Sequence, residues 1–130
     1  MSSKWESYGI ESKIIEVLSD TKYDSGHHFG RPFLTPYQIA IELVNRHPTI
    51  CVDLDKEFGG QGTNKETSLV QYIARELSAR IKSGRITNIE GAHLSNDHLS
   101  QYSFRGADGS EVSTSNRGQE HLSMFRLSDK

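Results

Sequence analysis

One cysteine, Cys51, occurs in 130 residues. No disulfide can close within the chain, and a reducing compartment is the expectation. All three prolines (Pro32, Pro36 and Pro48) fall in one stretch, so breaks later in the chain must come from glycine and polar turns. No run approaches the roughly 20 apolar residues that cross a bilayer. Residues 1–6 lack an apolar segment of signal-peptide type. A cytoplasmic protein without a membrane partner is therefore expected. Charge of one sign is also missing: the formal net charge is −2, too close to neutral for a protein that coats nucleic acid by bulk charge.

Hydrophobic residues make up 34% and charged residues 25%. A chain of this size buries about two thirds of its unfolded surface, so residues 1–130 are read as one domain with its own core. Residues 1–6 and 113–120 are expected to be mobile, because they are polar or terminal. The charges are unevenly placed. Lys65, Arg75, Arg80, Lys82 and Arg85 outweigh Glu66, Glu76 and Glu90, whereas the first thirty residues are acidic on balance.

Periodicity predicts a helix over about residues 7–18, with Ile10, Ile14, Val17 and Leu18 on one side. A second helix runs from about Thr35 to His47, with Thr35 as N-cap, Pro36 at the first helical position and Gln38 closing a capping box. Its apolar residues cover an arc of about 200°, which requires two neighbours to bury it. Residues 49–53 alternate, placing Ile50, Val52 and Leu54 on one side of a short strand. After the glycine-rich loop 59–62, a third helix is capped at Thr63 or starts near Thr67, and it ends before Gly84. Strands are predicted over residues 86–90, 99–105 and 122–127, with a turn at Asp108–Gly109. Residues 112–119 look too polar for an element. These elements make an α+β protein of three helices and a small antiparallel sheet.

The third helix carries the most informative surface. Gln71, Arg75, Ser78 and Lys82 share one side within about 60°, opposite the apolar face and uninterrupted by an acid. Arg and Gln can read guanine and adenine edges bidentately, and Ser and Lys can hold phosphates. Asn64, Lys65 and Ser68 stand at the helix start, while Arg85 and Arg105 stand near strand ends where they could meet phosphate. The same residue types also suit a merely solvated helix face.

Other chemistries find less support. The loop before the third helix lacks the Gly-Lys-Ser/Thr ending of a P-loop. Six histidines and Cys51 are scattered without ligand-pair spacing, so no metal and no cofactor are expected. No Gly-x-Ser-x-Gly elbow or nucleophile–base pairing appears, and no catalytic residue is assigned. Aromatic residues including Trp5, Tyr8, Phe29, Phe33 and Phe104 exceed what a small core clearly houses, which points to self-association as a homodimer.

Helix, helix and following β-sequence from Ser7 to about Arg105 resemble the winged-helix class. That resemblance implies double-stranded DNA binding, a homodimer and a recognition helix, here residues 64–82 followed by a hairpin. The intervening residues 49–63 exceed the usual turn of about 3–4 residues between such helices. Leu34–Leu43 and Thr67–Leu77 also look similar to orphan bacterial proteins carried on integron cassettes, a likeness that implies no activity. The expectation is a DNA-binding protein, a candidate regulator of transcription. Its alternative is a small homodimeric interaction module with no catalytic activity.

Overall fold

The computed structural model describes residues 4–23, 26–58, 68–99, 101–106, 108–115 and 122–128. It is an α+β protein with antiparallel strand pairing. Three helices of ten residues or more, α2 (Ile10–Ser19), α3 (Pro36–Arg46) and α5 (Leu69–Lys82), are joined by two short ones, α1 (Lys4–Ser7) and α4 (Ile50–Leu54). Strands β1 (Ile89–Leu94) and β4 (Leu122–Leu127) form one ladder, and β2 (Gln101–Arg105) and β3 (Glu111–Ser115) form another.

The helix predicted over about residues 7–18 is α2, which starts at Ile10, and the short α1 precedes it. Gly9 adopts a left-handed conformation, φ 59°, between α1 and α2, and its backbone carbonyl receives the hydroxyl of Ser12. The break turns α1 inward, so Trp5 is 2% exposed. Residues 4–6, expected to be mobile, thus belong to an element that anchors the core. Helix α3 follows its caps as predicted: the Gln38 amide donates to Thr35 Oγ1 and the Thr35 amide donates to Gln38 Oε1, at 3.3 and 2.8 Å.

Residues 50–54 are helical, not a strand. Ile50 and Leu54 are each 2% exposed while Val52 is 81% exposed. The core therefore selects the i, i+4 pair, a helical spacing that alternation in a five-residue stretch cannot exclude. Asp55, with φ 55°, ends the turn.

In the sheet, β1 pairs antiparallel with β4, with Gly91 opposite Phe125 and His93 opposite Ser123. On the other side of β4, Leu34 and Phe125 exchange two backbone hydrogen bonds of 2.8 Å each. The rows thus run Leu34, β4, β1. The predicted strand at 86–90 is displaced along the chain: Ile86 is buried at the exit of α5, where its amide bonds the Arg80 carbonyl, and the ladder begins at Ile89. β3 occupies residues 111–115, which looked too polar and whose end was expected to be mobile; residues 116–120 lie outside the described residues. Here backbone pairing with β2, from Arg105–Glu111 to Gln101–Ser115, makes a strand without an apolar signal.

One buried cluster joins the five helices with β1 and β4, and includes Ile14, Leu18, Ile39, Leu43, Leu69, Ile73, Leu77 and Phe125. Each such side chain contributes about 1.5–3 kcal/mol by leaving water. Helix α3 packs against both α2 and α5. The β2–β3 hairpin covers another part of α3, where Phe104 stacks on Tyr37 at 5.4 Å between ring centroids. The two helices and the hairpin thereby account for the wide apolar arc of α3.

Candidate nucleic-acid interface

Helix α5 is placed by its buried face and by a fixed start. Leu69, Val70, Ile73 and Leu77 enter the core. The Ser68 hydroxyl accepts the Gln71 amide at 3.0 Å as N-cap, and the Leu69 and Val70 amides bond the carbonyls of Glu57 and Phe58. Ser68 is itself 3% exposed, so it caps the helix from inside instead of presenting its hydroxyl to a partner. Gly84, at φ 82°, stops the helix, with the Arg85 amide reaching back to the Arg80 carbonyl.

Opposite the core, Arg75, Ser78 and Lys82 are exposed and Gln71 is half-buried. The stripe expected from helical spacing is therefore assembled on one surface. Its neighbouring row on α5 is already engaged. Glu76 pairs with Arg80 at 3.1 Å, Arg80 lies over the Trp5 ring at 4.8 Å, and Lys56 lies over the Tyr72 ring at 4.8 Å. Glu76, next to Arg75 in sequence, is thus matched by a cation of its own helix. Burial first, then the Glu76 charge, raises the Tyr72 pKa, so that phenol stays neutral.

The other flank of the stripe is open. Ser78, Ile81 and Lys82 form one wall of a solvent-open groove of about 300 Å³, and Gly91, Ala92, His93, Ser123 and Phe125 of the sheet form the other. Gly91 lies beside the Phe125 ring, where a Cβ would make ordinary contact at 3.4 Å. The groove is lined by Lys82 and His93, with no carboxylate among its described residues. His93 and Ser123 were not legible as site residues. They come from strands thirty positions apart, and only the ladder register brings them opposite each other.

The remaining expected contacts divide. Arg85 is exposed just past the end of α5. Arg105 is exposed on β2, opposite Glu111, in the hairpin that rests on α3. The strand beside α5 is β1, and its ladder partner is β4, not the next strand in sequence. Arg105 is therefore not gathered with the stripe, and an acidic partner faces it. Asn64 and Lys65 lie outside the described residues.

Among the described residues no three His, Cys, Asp or Glu side chains come together as a metal site. Cys51 sits half-buried in α4, and burial raises its thiol pKa, opposite to the shift that makes a nucleophile. No helix among the described residues is long and apolar enough to cross a membrane.

Comparison with known proteins returns nothing: no family model, no curated protein and no solved structure matches the chain.

Proposed function

We propose that the chain binds double-stranded DNA through α5 and the groove beside it. The observation that carries this reading is the exposed Arg75–Ser78–Lys82 stripe, bordered on one side by an acid-free groove. Fourteen residues of helix extend about 21 Å, enough to lie in a major groove about 12 Å wide. Gln71 and Arg75 offer bidentate groups for base edges, while Lys82 and Arg85 offer charge to phosphates. Ser78 on the helix wall of the groove, and His93 and Ser123 on its sheet wall, add further polar groups. The order of parts supports a winged-helix-like arrangement. Helix α2, a bridging row at Leu34, α3, α5, β1 and β4 follow one another, with rows ordered Leu34, β4, β1. The β2–β3 hairpin and α4 are insertions on that plan.

Amide chemical shifts recorded while a mixed-sequence duplex is added locate the contact. The expected pattern is movement confined to residues 71–85, 91–93 and 123. Shifts confined to α2 or to the β2–β3 hairpin would reject the assignment of α5.

A homodimeric interaction module is the second reading, favoured by a different feature. Among the described residues β1 pairs only with β4, which leaves its other edge open, and Leu94 at its end is 44% exposed. Open edges invite strand pairing with another chain. Light scattering on wild-type protein and on Leu94→Lys tests it: a dimer that becomes a monomer supports pairing through this edge, and a wild-type monomer removes it.

A further inference from the structure

On the sheet face away from α5, a solvent-open cavity of about 550 Å³ lies beside the segment that leads into α3. Its size falls within the range of small-molecule sites, about 300–1,000 Å³. Tyr23, Phe29, Pro32 and Phe33 supply apolar and aromatic walls, and Arg31 and Arg126 supply positive charge. No carboxylate lines it among the described residues.

Both guanidiniums are held flat against rings: Arg31 lies 4.5 Å from the Tyr23 centroid, and Arg126 lies 4.4 Å from that of Phe33. Arg126 is further pinned. Its Nε donates to Glu90 Oε2 at 2.7 Å, and its Nη1 donates to the carbonyls of Phe29 and Arg31 at 2.9 and 3.0 Å. Those bonds occupy one edge and one arm of the fork, leaving the two N–H groups of Nη2 as its remaining donors among the described residues. Glu90 offsets part of the charge from outside the cavity lining.

Phe29 marks the rim. It is 72% exposed yet ordered by edge contacts to the rings of His27 and His28, at 4.7 and 4.6 Å. A large aromatic side chain presented to solvent beside a lined cavity is the surface a ligand would cover. Planar walls select a flat, apolar body. An oriented arginine with free donors selects an anion, and a carboxylate fits the fork.

We propose that this cavity binds a small aromatic carboxylate, its ring against Phe29 and its carboxylate on Arg126. The site is separate from the α5 interface and does not depend on it.

Calorimetric titration with naphthoate, and with naphthamide as its neutral counterpart, tests the proposal. Naphthoate is expected to bind wild-type protein at least tenfold more tightly than naphthamide. Phe29→Ala is expected to weaken naphthoate at least tenfold while leaving the fold intact, because Phe29 is outside the core. Arg126→Met should abolish the preference for naphthoate over naphthamide. Absence of naphthoate binding, equal affinity for the two compounds, or unchanged affinity in Phe29→Ala would each overturn it.

Discussion

At the scale of single residues, position in the fold decides between side chains that look equivalent in sequence. Ile50, Val52 and Leu54 are three branched apolar residues in alternation, but only Ile50 and Leu54 face the core. Leu54→Ala is expected to cost about 3 kcal/mol, and Val52→Ser to stay within about 0.5 kcal/mol, by urea denaturation. Comparable losses at all three positions would favour the strand over the α4 helix. Asp108 makes a second residue-scale case. Its carboxylate accepts the Ser110 hydroxyl at 2.5 Å and the Ser110 amide at 3.0 Å, and these bonds hold its pKa below the ordinary aspartate range. A depressed pKa supports the turn above the unfolded value, and the support is lost as pH falls through the lowered one. The Ser110 amide shift should therefore titrate with a midpoint below about 3.9, and the transition should be absent in Asp108→Ala.

At the scale of elements, α2 and α3 are tied by one arginine at their ends. Arg46 reaches Asp20 and Glu16 of the α2 end at 2.8 and 3.1 Å, and Glu42 of its own helix at 3.2 Å. The carboxylates are about half exposed, so screening limits the pairing. Arg46→Met is expected to cost about 1 kcal/mol at low salt and less at about 1 M salt. Denaturation at the two ionic strengths separates this from a packing loss, which salt would not diminish. The same scale shows what could be read from residues alone. Helix α3 announces itself because Thr35, Pro36 and Gln38 act within four residues, and cap chemistry is local. The exposed side of α5 was legible for the same reason: helical period alone puts Arg75, Ser78 and Lys82 together. Strand β3 was not legible, because its partner β2, not its own composition, makes it a strand. Nor was the break at Gly9, where a single left-handed residue redirects Trp5 into the core. The wall that His93 and Ser123 contribute to the groove depends on register between distant strands, which no local pattern encodes.

At the scale of the whole molecule, two faces of one sheet serve different surroundings. Alternation along β4 sends Phe125 and Ser123 toward α5 and its groove, and Arg126 toward the aromatic cavity on the opposite side. Net charge is slightly negative, so any attraction to DNA must come from the local stripe and not from the protein's total field. That makes the stripe separable by charge reversal. Arg75→Glu with Lys82→Glu changes the charge within the proposed interface, whereas Lys13→Glu with Lys22→Glu makes the same total change outside it. Fluorescence anisotropy of a mixed-sequence duplex across a salt series, with all three proteins, is the most direct test. The α5 interface predicts that wild-type affinity falls linearly in log[salt], by about 0.9 per phosphate contacted. It predicts that Arg75→Glu with Lys82→Glu loses at least tenfold in affinity and has a shallower slope, and that the Lys13 and Lys22 control stays close to wild type. No binding by the wild type at low salt, or equal losses in the two double variants, would contradict it.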